Sequence, residues 1–204
     1  MGNMYTDNLI GTAIPKEFCI DVAKEWDIEY FIETGTHQGY TTVWAANNFK
    51  RVYTIENSKP IYDALNKEHD RYKNTSWLLG DSVDHLPTIL NTMGNDKGIF
   101  WLDAHWTTYD YSGGKDIPHP LITELKMVLD SPVRHVIFLD DFRAMVYPNR
   151  GNDLHSWPGL KEVLRPVFEC KHEYQIYIMQ DSIVLVEPEC EAILGRNCDN
   201  ILRY

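Results

Sequence analysis

From Pro15 onward the chain alternates short apolar runs with amphipathic segments, without a repeat, a low-complexity stretch or a linker. This alternation constrains the architecture more than any other feature. Strands that alternate with helices build a parallel sheet with helices packed on its faces. The reading runs from an opening helix, "PKEFCIDVAKEW", into a first strand, "EYFIE", a glycine-containing loop and a helix through "TTVWAANNF". A second strand, "RVYTIE", ends at Glu56. Ser58 and Pro60 then predict a cap and a first-turn proline for one helix with the apolar stripe Ile61, Ala64, Leu65 and Tyr72. "SWLLGDS" is the third strand, and Pro87 is read as opening a helix with Leu86, Ile89, Leu90 and Met93. "GIFWLDAHW" is the fourth strand, with the continuous apolar run of a strand buried on both faces.

An irregular stretch from Thr107 to Pro120 precedes the helix "LITELKMVL" and the fifth strand, "RHVIFLDDF". After a helix around "LKEVL", the runs "EYQIYIM" and "SIVLVEP" are separated only by Gln180 and Asp181. Two residues close a hairpin but cannot hold a crossover helix, so these last strands are antiparallel. The expected fold is therefore α/β: a doubly wound, Rossmann-like, seven-stranded sheet, mostly parallel, with an antiparallel C-terminal hairpin. At 204 residues, 44% of them hydrophobic, the chain reads as one domain over 1–204, with an N-terminal helix at about 14–27 and a core at about 28–188.

A formal net charge of −11 argues against a nucleic-acid backbone as partner, because such binders present a basic face. A small ligand, or a neutral to basic substrate, fits better. Cys19, Cys170, Cys190 and Cys198 lack metal-type spacing and are too sparse for a disulfide framework, so they read as reduced thiols. No leader pattern and no span of about 18 apolar residues is found, and the expectation is a cytoplasmic protein with no membrane partner.

In a doubly wound sheet, ligands bind outside the carboxyl ends of the strands. The acids that end predicted strands are Glu33, Glu56, Asp81, Asp103, Asp140 and Asp141. Any one of them is also a natural cap for the helix that follows. The loop after the first strand, "FIETGTHQGYTT", has His37 where the dinucleotide fingerprint G-x-G-x-x-G would place its second glycine. It offers instead Glu33, Gly35 and Gly39, a loop that lets backbone approach a ligand without cradling a diphosphate. Glu56 follows Gly35 by 21 positions, the offset at which an acid ending the second strand meets ribose hydroxyls. A nucleoside ligand without a diphosphate is the economical reading.

Here the chain resembles the class I S-adenosylmethionine-dependent methyltransferases, over about residues 28 to 188, including a seven-strand order that ends in an antiparallel hairpin. The resemblance implies that Glu33, Gly35, Thr36 and Gly39 surround the methionine portion of S-adenosylmethionine, that Glu56 holds the ribose, and that Asp81 with Ser82 meets the adenine. Asp103 is counted with these cofactor-binding residues.

Methyl transfer to oxygen needs an unprotonated, aimed nucleophile, and a hydroxyl of high pKa needs a base, a metal or both. Asp103 after the fourth strand and the pair Asp140 and Asp141 after the fifth bring three carboxylates toward one end of the sheet. Three oxygen ligands suit Mg²⁺ or a similar divalent cation. Capping and solvation are the competing roles for this pair. The set looks like the metal aspartates of the macrocin-type sugar O-methyltransferases, which implies that Asp103 is also the base, although "LDAHWTTYDYSGG" departs from the sequence usual after the fourth strand in that group. His105 is a second candidate base or substrate ligand, with packing as its alternative. Trp106, Tyr109, Tyr111, Gly113 and Gly114 suggest a mobile aromatic flap.

The expected activity is methyl transfer from S-adenosylmethionine to a hydroxyl of a small molecule or sugar, with divalent-metal assistance. A metal-independent O- or N-methyltransferase using Asp103 or His105, and a non-catalytic binding subunit of the same fold, are the alternatives.

Overall fold

The computed structural model describes residues 14–105, 119–146, 157–190 and 193. Seven strands form one sheet in the order β3-β2-β1-β4-β5-β7-β6. They are β1 (Tyr30–Thr34), β2 (Arg51–Glu56), β3 (Thr75–Leu79), β4 (Gly98–Leu102), β5 (Val136–Leu139), β6 (Gln175–Met179) and β7 (Ser182–Val186). The first five are parallel to one another, and β7 runs antiparallel to both β5 and β6, as the two-residue connection to β6 requires. Gln180 takes a positive φ of 55° at that connection.

Each central strand divides its side chains between two apolar layers, because successive residues point to opposite faces. Phe31, Ile99, Trp101, Val136, Phe138 and Val184 pack on one face with Phe18, Cys19 and Val22 of α1 (Lys16–Glu25) and Ala45 of α2 (Tyr40–Asn48). Ile32, Phe100, Leu102, Ile137, Leu139 and Leu185 pack on the other. There they meet Leu86 and Ile89 of α5 (Ser82–Met93), Leu125 and Val128 of α6 (Leu121–Leu129), Met145 of α7 (Phe142–Val146), and Val163 and Val167 of α8 (Leu160–Glu169). Phe138 is fully buried and meets the Phe18 ring edge-on at 6.1 Å. Truncating such a side chain to alanine costs about 3–5 kcal/mol.

Two expectations about helices are corrected. The segment after β2 is not one amphipathic helix but two short ones, α3 (Lys59–Ala64) and α4 (Asn66–Arg71), with Leu65 between them, and Ala64 is exposed. Ser58 stands at the start of α3 but makes no side-chain cap. Pro87 does not open α5; it lies inside the helix. Asp81 starts that helix by accepting a hydrogen bond from Val83 N at 3.1 Å, which places the first turn five residues before the proline. The fourth strand also ends earlier than its apolar run suggests, so Asp103 and His105 stand beyond the sheet. Among the described residues no helix is long and apolar enough to cross a membrane.

Strand order reverses between β1 and β4, since the chain builds outward to β3 before returning to β4 on the other side. The crevice at that point lies over the carboxyl ends of these strands. The register pairs Thr34 with both Ile55 and Leu102, and Leu102 with Leu139. Glu56, Gly35, Asp103 and Asp140, the residues next in line, therefore stand in one row along the sheet end.

Candidate functional site

The row is closed by main-chain hydrogen bonds. Asp103 N donates to Thr34 O at 3.1 Å, and Asp140 N donates to Leu102 O at 3.2 Å. Gly35 N and Thr36 N both donate to Ile55 O, at 3.0 and 3.2 Å. Gly35 has a φ of +83°, and a Cβ there would lie 2.5 Å from the carbonyl oxygen of Asp103. Conformation and space both demand glycine, which ties the first loop directly to the end of β4. The loop turns through His37 (φ 47°) and Gly39 (φ 72°) into α2.

Glu56 is 5% exposed, and both its oxygens accept main-chain hydrogen bonds: Oε2 from His37 N at 2.9 Å and Oε1 from Ser58 N at 2.7 Å. It is thereby fixed at the edge of the crevice beside the loop. Glu33 lies deeper, at 1% exposure. Its Oε2 accepts from Thr54 Oγ1 at 2.7 Å and from the Thr42 hydroxyl, while Thr36 and Thr54 share a hydroxyl hydrogen bond of 2.6 Å. Burial pushes the Glu33 pKa up to about 7, opposed by the two hydroxyl donors. Glu33 thus sits beneath the loop and braces α2 against β1 and β2. At β3, Asp81 caps α5, and Ser82 is 5% exposed with its hydroxyl turned inward beside Glu124 of α6.

The ends of β4 and β5 gather the other acids. Asp103, His105 and Asp141 each offer one donor atom, and these three atoms lie within 4.8 Å of one another. His105 Nε2 is 3.1 Å from Asp141 Oδ2 and 4.0 Å from Asp103 Oδ1. Asp140 is placed differently. It is 8% exposed, lies beside the Asp103 carboxyl, and has Ser182 Oγ 3.5 Å from its Oδ1. Asp141 takes a φ of 58°, a sharp turn between the two aspartates that sends Asp140 inward and Asp141 toward His105. Burial, then the charge of Asp141, raises the Asp140 pKa to about 7. Asp103 is raised well above the usual carboxylate range by burial and by Asp140, Asp141 and Glu33. Like charges this close do not all ionise together near neutral pH without a counter-ion.

Three neighbours were not evident from the sequence. Trp101 Nε1 donates to Asp103 Oδ2 at 3.2 Å, which orients the carboxyl; strand alternation places residues 101 and 103 on one side and could have revealed it. His119 and Trp157 pack ring against ring at 4.1 Å, and both lie against His105, at 6.3 and 5.3 Å. Burial and the neighbouring His105 lower the His119 pKa to about 4, so this wall is neutral. No local pattern links these positions, which come from segments before α6 and α8. The expected flap residues Trp106, Tyr109, Tyr111, Gly113 and Gly114 lie outside the described residues.

No protein-family model matches the chain, and no curated protein matches its sequence. Solved structures do match its fold. The O-methyltransferase TomG from Streptomyces achromogenes, involved in tomaymycin synthesis and solved with S-adenosylmethionine, is 18% identical with a TM-score of 0.56, over 86% of this chain and 80% of that one. An O-methyltransferase from Bacillus cereus, solved with S-adenosylhomocysteine, is also 18% identical, with a TM-score of 0.56, over 86% and 82%. A spermidine synthase from Thermotoga maritima matches at 9% identity and a TM-score of 0.51, over 84% and 61%. The same sheet thus carries proteins named for different reactions, and the site must decide the chemistry.

Proposed function

Because the chain has the fold of the class I S-adenosylmethionine-dependent methyltransferases, we propose that it transfers a methyl group from S-adenosylmethionine to a hydroxyl of a small molecule or sugar, with a divalent cation assisting. The observation that carries the reading is the contact between the two parts of the crevice: Gly35 of the first loop lies directly against the backbone of Asp103.

The residues fit the cofactor at specific places. Gly35 lets the first loop pack directly on the backbone at the end of β4, and Glu56, fixed by two backbone N–H groups, is set to accept from ribose hydroxyls. Asp81 and the backbone at Ser82 stand at the end of β3, where the adenine would lie. When bound, S-adenosylmethionine supplies an electrophilic methyl carbon. Asp103, His105 and Asp141 present a donor set for a divalent cation, which would supply acidification of the acceptor hydroxyl.

This chain's own residues do the rest. Asp103 accepts the hydroxyl proton on its carboxylate, which Trp101 holds in direction. Asp140 and Ser182 support Asp103 from below. His119 and Trp157 form a neutral aromatic wall that keeps water from that side and offers a flat surface to the acceptor. In the metal-independent alternative, the 3.1 Å approach of His105 to Asp141 makes an aspartate-oriented imidazole that takes the proton directly.

The test is to incubate the purified chain with methyl-labelled S-adenosylmethionine and pooled hydroxylated small molecules and sugars, with and without chelator, and to read the label by NMR. Label in O-methyl products, reduced by chelator, is expected. Undiminished transfer in excess chelator would favour the His105 alternative. No binding and no transfer would leave a non-catalytic binding subunit.

A further inference from the structure

We infer that His105, not Asp140, is the third ligand of the proposed cation site, and that the site therefore selects a first-row transition metal such as Mn²⁺ or Fe²⁺ over Mg²⁺. The inference rests on the metal-assisted reading above and specifies it.

The geometry begins with the turn after β5. The positive φ of Asp141 separates the neighbouring aspartates, so Asp141 faces His105 while Asp140 turns toward Asp103 and Ser182. Asp140 is buried beside Ser182 and the Asp103 carboxyl, and does not belong to the group of mutually close donors. His105 does. Its Nε2 lies 3.1 Å from one carboxylate oxygen and 4.0 Å from another. Ligands about 2.1 Å from a six-coordinate ion lie roughly 3.0 Å apart when adjacent, so small movements bring these atoms onto one face of an ion.

Two further features support ligation. The His105 ring packs against Trp157 and His119, contacts that orient it independently of the carboxylates. Trp101 occupies Oδ2 of Asp103 and leaves Oδ1 toward His105, the outer support characteristic of a metal ligand. Two carboxylates and a neutral imidazole balance the charge of a divalent ion and leave coordination positions for an acceptor oxygen. An all-oxygen set suits Mg²⁺, whereas imidazole shifts preference toward Mn²⁺, Fe²⁺, Co²⁺ and Zn²⁺.

The experiment uses the chelator-stripped full chain, titrated calorimetrically with Mn²⁺ and with Mg²⁺ in the absence of cofactor. One Mn²⁺ site is expected. His105→Ala should weaken Mn²⁺ by about tenfold or more while changing Mg²⁺ less than about threefold, whereas Asp140→Asn, which alters a neighbour of Asp103, should weaken Mn²⁺ while leaving the bound imidazole in place. Spin-echo spectroscopy of the Mn²⁺-loaded wild type should show coupling to a directly bound imidazole nitrogen that His105→Ala abolishes, a readout independent of how the other variants fold. Absence of nitrogen coupling, its loss in Asp140→Asn, or unchanged Mn²⁺ affinity in His105→Ala would overturn the assignment. Turnover measured in parallel separates the two ideas. Chelator-resistant transfer with intact nitrogen coupling defeats metal assistance alone, whereas Mg²⁺-dependent transfer indifferent to His105 defeats this inference alone.

Discussion

Around the first loop the acids are held by donors from their own surroundings: Glu56 by two backbone N–H groups and Glu33 by two threonine hydroxyls. At the ends of β4 and β5 the acids instead face one another: on top of burial, Asp140 and Asp141 raise the pKa of Asp103, and Asp141 raises that of Asp140. One side of the crevice is thus fixed before any ligand arrives, as suits a cofactor held the same way in every turnover. The other retains electrostatic repulsion that a cation, a proton or a substrate must relieve, as suits proton transfer and changing charge.

The largest expected effect breaks only the second side. Asp103→Asn should lower turnover about 10²–10⁴-fold, since it removes the proton acceptor, while S-adenosylmethionine affinity, read by calorimetry, stays within about twofold. Comparable loss of cofactor binding would mean that the two sides are not separable. Gly35→Ala should damage both, because a Cβ would press on the Asp103 carbonyl from a φ of +83°. The conformation alone costs about 1–3 kcal/mol, and cofactor affinity and thermal stability should fall together. Glu56→Ala should weaken cofactor binding by about 1.5–3 kcal/mol with Mn²⁺ affinity unchanged.

The contrast between the sides also explains what the sequence could convey. Apolar runs and a two-residue connection determine strands and hairpin by local periodicity, and the strand-end acids follow from where those runs stop. Start points of helices were less legible: Pro87 looked like a first-turn residue, but the Asp81 cap acts earlier. Side-chain direction was least legible. Asp140 and Asp141 are adjacent in sequence, yet the positive φ between their side chains gives them different surroundings. His119 and Trp157 meet His105 only through tertiary packing, for which single-sequence spacing contains no signal.

The effect furthest from the chemistry concerns a carboxyl outside both sides. Glu124 is fully buried, neither oxygen makes a hydrogen bond of normal geometry among the described residues, and burial raises its pKa to about 7 despite the nearby Ser82 and Thr34 hydroxyls. The folded state binds its proton more tightly than the unfolded chain does. Its stabilising contribution is therefore complete below about pH 4.5 and is lost as pH rises through about 7, by about 3 kcal/mol. Glu124→Gln should remove this slope from denaturant-derived stabilities, leaving a variant relatively more stable above pH 7 than below pH 5. An unchanged pH profile would show that Glu124 does not hold a proton in the fold.

The central claim is that the first loop and Glu56 make a site for S-adenosylmethionine. Isothermal calorimetry of the intact chain against S-adenosylmethionine and against NAD tests it most directly. One-site binding of S-adenosylmethionine in the micromolar range or tighter, with no comparable binding of NAD, is the predicted result; the opposite preference, or no binding of S-adenosylmethionine, would contradict it.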